Sequence, residues 1–534
     1  MATEMPTQSG VFTRASSGLV RQVKTIDVMS YGIQQIALSY IVFIVLFWLF
    51  YPGANMPLAS LIATLAGLAM GVCYAMFATL YPRSGGEYVY LSRTLHPAVG
   101  FSVSFSFAFW ETFYTGINGA FFSLYSVSPF LAALGLQMHN ETLLNWSTWF
   151  SGHWGIFVGG SVMIIGLTIL QLLGAGVYFK WQRWATYLAL GSLAVTIIVL
   201  ILGWSGVLDF KAHFNALAGA GTYQKIVAEG AAAHVTPAPA FNFGETMKFM
   251  LWPAFSIWFA VASTSFSGEI KNVQRSQLIG ITTAMLLMGG AFILLTAGYT
   301  HAFGSSFILS ANNNYLNGTG TQMPQGVPPY VPLLTGILGG NALLTVIMSI
   351  WVLAIAVFVT GTTLVYASRA ALAWSIDGVA PEWLGRVNER YHSPHWALVM
   401  WATVGEIFLF LYAFTTLLGP ISGFTGLAIS FVVVSLWAIL FPFVRKQQFE
   451  NSPIAWRVGG IPVMSLLGFL ASIIVCWAFY RLLIDSTFTL NLKFSNWGTL
   501  VVVLFSIAWF YVWKAFRKSQ GVDLDRRYAE IPIE

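Results

Sequence analysis

Two acidic residues, Glu111 and Glu406, lie inside long apolar runs of the chain. Ionising a carboxyl group in such surroundings is costly, so the group holds a proton or binds a cation, and both are functional chemistries. Trp110, Tyr114 and Asn118 follow helical spacing around Glu111 and would give it aromatic and hydrogen-bonding neighbours. Glu111 is therefore predicted to carry a proton or to bind a substrate amine, and Glu406 is a second candidate proton carrier. For both, a hydrogen bond to a neighbouring helix without titration is the structural alternative.

Polar residues interrupt two other apolar runs. The first run contains Gln34 and Gln35, whose amides both donate and accept hydrogen bonds and suit a polar ligand. The second contains Ser256, close to Trp258 and Phe259, which could stack on a ligand or pack in the core. Because polar groups at membrane depth are tolerated only in cavities or within protein, both runs are predicted to face the interior. Hydroxyl groups that merely join packed helices are the alternative.

The residue pattern gives no support for enzyme or redox chemistry. All eight His residues stand at the ends of apolar runs or between them, so the chain lacks the buried axial ligands of a haem bundle. The GxxxxGK[ST], HExxH and GxSxG patterns are absent from the sequence. We therefore predict a protein that is not an enzyme and that binds no cofactor or metal. The net charge of +6 needs no nucleic-acid partner to explain it.

The elements that must position these residues are membrane helices. Hydrophobic residues make up 57% of the 534 residues and charged residues only 8%, which is far outside soluble composition. Many runs are long enough to cross about 30 Å of hydrocarbon as helices, and none alternates as the strands of a barrel would. The sequence predicts an all-α membrane protein in a lipid bilayer, with twelve spans near 27–51, 56–80, 96–134, 154–178, 184–206, 247–269, 277–302, 340–375, 395–416, 421–444, 462–484 and 496–514.

The distribution of basic residues predicts the orientation of the chain. With the N terminus inside, all of the 25 Lys and Arg residues fall on the inner side except Lys211, Lys225, Lys248, Arg481 and Lys493. Cytoplasmic loops carry such an excess of basic residues. The sequence therefore predicts a multi-pass protein of the cell membrane with both termini in the cytoplasm.

One membrane domain accounts for the whole chain. We expect a cytoplasmic N-terminal segment at 1–26, a core of ten spans at 27–444, two further spans at 445–514 and a cytoplasmic tail at 515–534. Two long segments on the outer side, 207–246 and 303–335, are rich in Ala, Gly and Thr or in Asn, Gly and Pro. Such compositions predict surface loops, which would cover the outer face of the core.

Several inner segments resemble the amino acid/polyamine/organocation permeases. Residues 82–88, PRSGGEY, are similar to the family's Pro-Arg-x-Gly-Gly-x-Tyr loop. Residues 268–275, GEIKNVQR, resemble its Glu-Val/Ile-Lys-Asn-Pro-x-Arg segment, with Val273 in place of the usual Pro. Residues 367–369 and 377–381, ASR and DGVAP, look like its Ser-Arg and Asp-Gly-x-x-Pro elements. The segments occur in the family's order and on the expected side of the membrane.

The resemblance implies a LeuT-type fold of five-plus-five inverted repeats followed by two C-terminal helices. In that fold helices 1 and 6 unwind around the substrate, and backbone amides of a Gly-Ser-Gly turn in helix 1 bind its carboxylate. Here the matching positions are Leu38-Ser39-Tyr40, and the matching turn of helix 6 is Phe259-Ala260-Val261. Either the helices unwind elsewhere, at 32–35 and 263–265, or the cargo lacks a zwitterionic head group and is held by side chains.

The function implied is that of a secondary active transporter which works by alternating access. It would move amino acids, or related amines and small organic solutes, across the plasma membrane, and proton coupling and exchange both stay open. Arg369 and Asp377 are expected in a cytoplasmic gate or in a plain ion-pair network, and Glu111 and Glu406 are the proton-coupling candidates. The alternatives are a transporter-like sensor with little flux and a permease for another solute, such as a nucleobase. The expected substrate-binding residues are Gly32, Ile33, Gln34, Gln35, Ser39, Glu111, Ser256, Trp258 and Phe259.

Overall fold

Long apolar helices build this protein, because in a bilayer a helix satisfies all its backbone polar groups within one segment. A computed structural model describes residues 18–489 and 491–529. Eleven helices in that part of the chain are long and apolar enough to cross a membrane, and segment 243–269 adds a twelfth that is broken into short pieces. The spans, numbered in chain order, are Thr25–Phe50, Met56–Leu80, Pro97–Met138, His153–Leu172, Ala175–Trp204, 243–269, Val273–Phe303, Ala342–Asp377, His395–Phe414, Phe424–Val444, Val463–Ile484 and Leu492–Ser519.

The prediction of an all-α membrane protein with about twelve spans is confirmed. The two strands found in the described residues, Arg457–Val458 and Ile461–Pro462, form a short antiparallel hairpin between spans 10 and 11. Because the number of spans is even, residues 18–24 and 520–529 lie at one end of the bundle, which we call the terminal face. The opposite end, which carries segments 207–246 and 303–335, is the loop face.

Span 1 is broken near its middle. An α-helix runs over Thr25–Gln35, and short helical pieces follow from Leu38–Tyr40 onward. Between them Ala37 has φ 52° and ψ 47°, a left-handed conformation that ends the first helix. Residues 32–35, considered above as a place of unwinding, are therefore helical, and the chain unwinds just after them.

Span 6 is broken as well, into Phe243–Phe249, Leu251–Ile257 and a 3-10 helix over Trp258–Ser265. Eight residues are long for a 3-10 helix, and such a stretch often marks a functional region. Both turns considered for this span, 259–261 and 263–265, fall within it. Spans 1 and 6 are five spans apart, as broken helices are in a five-plus-five arrangement.

The boundary between spans 4 and 5 differs from the expected one. Span 4 ends at Leu172 and span 5 begins at Ala175, although the sequence suggested a gap from 179 to 183. Gly174, with φ 108°, makes the turn in a conformation that other residues rarely adopt. Hydropathy placed the gap at Lys180 and Arg183 because both are charged, and the structure puts them within the helix of span 5.

The two long segments of the loop face contain helices. Segment 207–246 has Phe210–Ala218 and Thr222–Ala232, and segment 303–335 has Ser305–Asn317 and the start of Val331–Gly339. Aromatic residues of the two segments pack against each other. Amino-acid composition alone does not reveal such contacts. Asn312 donates to the backbone of span 1 at Val45, 3.0 Å away, so the second segment covers the end of that span.

The chain ends extend the terminal face. Residues 1–17 of the expected N-terminal segment and 530–534 of the expected tail lie outside the described residues. Span 12 continues to Ser519, past its expected end at 514. A short helix, Leu524–Tyr528, then turns back onto the bundle and buries both of its end residues.

Candidate functional site

A central pocket lies where the two broken spans meet spans 3 and 8. It sits beside the break at Ala37. The pocket combines amide and carboxyl groups on one side with aromatic rings on the other. It is lined by Gln35, Ala37, Tyr40, Glu111, Tyr114, Asn118, Phe255, Phe259, Val359 and Thr363.

The polar groups of the pocket are joined across spans 1 and 3. The Nε2 atom of Gln35 donates to both carboxyl oxygens of Glu111, at 3.0 and 3.1 Å. The Tyr40 hydroxyl donates to Oδ1 of Asn118. All four side chains are at least nine-tenths buried. Two buried polar atoms, Oε1 of Gln35 and Nδ2 of Asn118, have no hydrogen-bond partner among the described residues, so they are free to bind a ligand.

Backbone groups at the break add a second kind of polar contact. Leu38 and Ser39 begin a new helical turn, and the first N–H groups of a turn lack intrahelical acceptors. Their N–H groups and the positive end of the short helix favour an anion such as a carboxylate. Ser39 also lines a smaller cavity, which shares Tyr40 and Asn118 with the central pocket.

Aromatic rings form the apolar wall of the pocket. Phe255 stacks on Tyr40 with ring centroids 5.6 Å apart, and it also contacts Tyr114 and Phe259 at 5.3 and 5.9 Å. Phe255 was missed in the sequence, although it precedes Phe259 by one helical turn and therefore shares its face. Charge and polarity drew attention to the neighbours of Phe255, and an aromatic residue among many carried no such signal.

A larger aromatic vestibule separates the central pocket from the loop face. It shares the rings of Tyr114 and Phe255 with the pocket. These two rings therefore form the partition between the two spaces. The other walls come from spans 1, 3, 6 and 9, from the connection between spans 9 and 10, and from Phe488 after span 11.

Buried ion pairs close the pocket toward the terminal face. Arg369 on span 8 binds Glu269 at the end of span 6, with 2.9 Å between Nε and Oε1, and both side chains are at most 2% exposed. Asp377, also on span 8, instead binds Arg93 at 2.7 Å. The two residues expected in a gate therefore belong to separate ion pairs. The Tyr528 ring of the C-terminal helix covers the Arg93 guanidinium at 5.3 Å.

Three of the predicted binding residues point away from the pocket into helix contacts. Gly32 packs against span 7, where a Cβ atom on it would lie 2.8 Å from the Cβ of Ala284. The Nε2 atom of Gln34 donates to the Thr186 hydroxyl on span 5 at 3.0 Å. Ile33 is fully buried and does not line the pocket. Among the residues predicted on span 1, Gln35 lines the central pocket and Ser39 lines the smaller cavity beside it.

Of the remaining predicted residues, some line the pocket and others do not. Phe259 and Glu111 line the pocket together. Trp258 faces span 2, where its Nε1 donates to the carbonyl of Ala63 at 2.9 Å, and Ser256 is buried beside the pocket without lining it. Glu406 is half-buried between spans 4 and 9, where the Ser161 hydroxyl donates to it at 2.7 Å.

The fold and the enclosed pocket define a multi-pass membrane transporter. A sequence profile of the family described as amino acid permease matches residues 23–508, so the chain belongs to that family. It is also similar to the branched-chain amino acid permease BcaP of Lactococcus lactis subsp. cremoris (strain MG1363). The two are 24% identical over 439 residues, which cover 80% of this chain and 82% of that protein.

Membership of this family confirms three predictions: the relationship to the amino acid/polyamine/organocation permeases, transport of amino acids, and a transporter in place of an enzyme. A sensor or a nucleobase permease is not favoured. The protein is thus an amino acid transporter that crosses a membrane many times.

Proposed function

We propose that this permease carries amino acids with large apolar side chains into the cell, by alternating access and together with a proton. The observation that carries the proposal is the central pocket, in which Gln35, Glu111 and Asn118 face a wall of aromatic rings beside the break in span 1. Amide and acid groups suit the polar end of an amino acid, and the rings suit an apolar side chain.

The polar end of the substrate would lie against span 1. Its carboxylate accepts hydrogen bonds from the N–H groups of Leu38 and Ser39, which lack intrahelical acceptors. These N–H groups belong to the backbone, and Leu38 and Ser39 have them whatever their side chains are. Carboxylate binding is therefore compatible with Leu38 and Tyr40 in place of the family's two glycines. The ammonium group donates to Oε1 of Gln35, which has no partner among the described residues.

The apolar end would lie against Tyr40, Phe255 and Phe259. Of the residues that line the pocket in the described chain, Glu111 is the only Asp, Glu, Lys or Arg, so a second charge on the substrate would find no opposite partner once Glu111 is protonated. Leucine, isoleucine and phenylalanine match this surface better than lysine or glutamate. The named relative is described as a branched-chain amino acid permease, which supports the same class.

Because the buried ion pairs are intact, we assign the structure to a state of the transport cycle that is closed toward the terminal face. The excess of basic residues on the terminal face supports the assignment of that face to the cytoplasmic side of the cell membrane. Substrate then enters from outside through the aromatic vestibule, past Tyr114 and Phe255. To leave, it needs the Glu269–Arg369 and Arg93–Asp377 pairs to separate, which makes these pairs the cytoplasmic gate.

Glu111 is proposed as the proton carrier. With Glu111 protonated and a zwitterion bound, the pocket has no net charge, and a neutral pocket is the cheapest to close in a low-dielectric interior. After the gate opens inward, loss of the proton leaves an ionised Glu111 in the empty pocket. Each cycle then imports one amino acid with one positive charge, so acid outside the cell should drive uptake.

The test is uptake into liposomes that contain the purified protein, with and without an acid-outside pH gradient. We expect leucine and phenylalanine to enter, lysine and adenine to stay outside, and the gradient to accelerate entry. Glu111→Gln should keep passive entry and lose the acceleration, whereas Glu406→Gln, which alters a membrane carboxyl outside the pocket, should retain both.

Uptake of lysine or adenine in preference to leucine would refute the proposed substrate class. Acceleration that survives in Glu111→Gln would refute the proton role of this residue. The same preparation shows whether each variant is folded, because a bound substrate raises the melting temperature of the folded state by mass action.

A further inference from the structure

A second buried carboxyl group, that of Glu87, lies between the central pocket and the gate. It begins the helix Glu87–Thr94, outside the membrane spans, and is only 2% exposed. The turn before it inserts between spans 6 and 8, because Gly85 donates to the Ser265 carbonyl at 2.7 Å and a Cβ on Gly85 would lie 2.6 Å from Ala373. Gly85 and Gly86 both have positive φ, so the turn requires glycine at each position.

Among the described residues, the side-chain hydrogen-bond partner of Glu87 is the Tyr366 hydroxyl on span 8, which donates to its Oε1. The two buried guanidinium groups of this region, Arg93 and Arg369, are already bound to Asp377 and Glu269. Glu87 thus has no cation of its own in the part of the chain that the structure describes. The titratable groups around it are Cys73 and Tyr74 on span 2, Tyr90 on its own helix, Tyr366 on span 8 and Glu111 on span 3.

An ionised carboxylate in such a place is expensive, because the surrounding thiol and hydroxyl groups are neutral and Glu111 can only repel it. Burial raises the pKa of Glu87 to about 7. In the closed gate Glu87 is therefore mostly protonated below about pH 7. Once the gate opens and water reaches the carboxyl group, its pKa falls toward the ordinary range and the proton leaves.

The neighbours of Glu87 connect it to the central pocket. Thr363 lines the pocket, and Tyr366 lies about one helical turn further along span 8. The ring of Tyr366 packs on Phe107, 4.6 Å between centroids, and Phe107 precedes Glu111 by one turn on span 3. Tyr366 thus contacts Glu87 directly and lies about one turn from Thr363, which lines the same pocket as Glu111.

We infer that Glu87 is the inner proton site, which releases a proton to the cytoplasm when the gate opens and is then refilled from Glu111. The inference rests on the proposed proton coupling. No electrons move and one proton is passed on. Glu87 gives its proton to cytoplasmic water while the gate is open. As the gate closes and water leaves, the buried Glu87 carboxylate takes up the proton of Glu111, with the Tyr366 hydroxyl as its hydrogen-bond donor. Glu111 is left as a carboxylate, and Glu87 is again neutral in the closed gate.

The experiment compares Glu87→Gln with the unaltered protein and with Glu389→Gln, which removes an exposed carboxyl group near the same face. Glu87→Gln should lose the acceleration of leucine uptake by an acid-outside gradient. It should keep exchange of external for internal leucine, which needs no net proton transfer. Tyr366→Phe should reduce the acceleration at least severalfold, and Glu389→Gln should leave it unchanged.

Protonation of Glu87 has a signature that does not depend on transport. Its raised pKa means that the folded state binds a proton which the unfolded chain releases above the ordinary value of 4.5, so stability falls as pH rises from there to about 7. Gln resembles the protonated acid and cannot ionise. Between about pH 5 and about pH 8 the melting temperature should therefore fall less in Glu87→Gln than in the unaltered protein.

The outcomes separate the two proposals. If the unaltered protein shows no acceleration by the gradient, proton coupling is refuted and this inference with it. If Glu111→Gln loses the acceleration while Glu87→Gln keeps it, only the role of Glu87 is refuted. If Glu87→Gln does not fold, Glu87→Asp retains a carboxyl group and should keep gradient-driven uptake, whereas loss of the acceleration in a folded Glu87→Asp would contradict the inference.

Discussion

Tyr40 and Phe255 stack on each other in the wall of the central pocket, with ring centroids 5.6 Å apart. Tyr40 stands where the resembled family has glycine, and its hydroxyl is held by Asn118. Phe255 also borders the vestibule. At the scale of single residues, these two rings determine how large an apolar side chain the pocket accepts and how readily it communicates with the loop face.

Phe255→Ala tests the partition that Phe255 forms with Tyr114 between the central pocket and the vestibule. Loss of the ring joins pocket and vestibule and removes one aromatic contact to the substrate, so we expect the KM for leucine to rise by about tenfold, equivalent to about 1.4 kcal/mol. Tryptophan should gain relative to leucine because the enlarged space accepts a larger ring. Competition assays in liposomes measure both effects.

Phe488→Ala is the matched control, since Phe488 lines the vestibule and not the central pocket. It should alter the KM for leucine by much less than Phe255→Ala. Equal effects of the two substitutions would show that the vestibule, and not the partition, limits selectivity.

The break in span 1 is the feature that matters most at the scale of elements. Ala37 adopts φ 52° and ψ 47°, which costs a residue with a Cβ atom roughly 1–2 kcal/mol. The break exposes the N–H groups of Leu38 and Ser39 to the pocket. The strain is therefore maintained at the place where the substrate carboxylate is proposed to bind.

Ala37→Gly should raise the melting temperature, because glycine adopts this conformation without strain and removes up to about 1 kcal/mol of cost. Ala37→Val should lower it, since a β-branched residue fits the left-handed region worst. Leucine uptake should persist in Ala37→Gly.

Ala59→Gly in the uninterrupted helix of span 2 is the control for this comparison. There glycine only loosens a helix, which costs about 1 kcal/mol. A fall in melting temperature for Ala37→Gly as large as that for Ala59→Gly would mean that the break carries no strain.

At the scale of the whole molecule, the gate joins distant parts of the chain. The pairs Glu269–Arg369 and Arg93–Asp377 bring together residues 100 and 284 positions apart, and Arg183 binds Asp27 of span 1 at 2.6 Å. The C-terminal helix adds Tyr528, whose hydroxyl lies 3.0 Å from that of Tyr88. Opening toward the cytoplasm must separate several buried polar contacts together, which favours two discrete states of the gate.

Glu269→Gln should destabilise the closed gate strongly. It leaves the buried Arg369 without its counter-charge, and breaking one side of a buried pair costs about 3–5 kcal/mol. We expect a lower melting temperature and a larger population of protein open to the cytoplasm, measured by labelling of a cysteine introduced at Ser368.

Asp525→Asn supplies the comparison, because the Lys514–Asp525 pair is exposed, with side chains 35% and 67% accessible. Such pairs contribute about 1 kcal/mol or less. If both substitutions lower the melting temperature equally, the buried pairs do not hold the gate closed.

Hydropathy, charge distribution and short motifs were enough to predict the class of the protein. Each of these properties is local, because a span needs only a run of apolar residues and a motif only adjacent positions. The same reasoning singled out Glu111 and Gln35, since a polar residue in an apolar run stands out without any knowledge of its neighbours. The broken state of spans 1 and 6 was also visible as interrupted hydrophobic character.

Only the tertiary structure decided which of these residues meet. Gln35 turns toward Glu111 while Gln34, the next residue back, turns toward span 5, and one step along a helix separates the two directions. Arg369 and Asp377 form ion pairs with residues on other segments, and Glu87 is buried although it lies outside the spans. Packing of segments far apart in the chain sets these contacts, and no local pattern in the sequence encodes such distances.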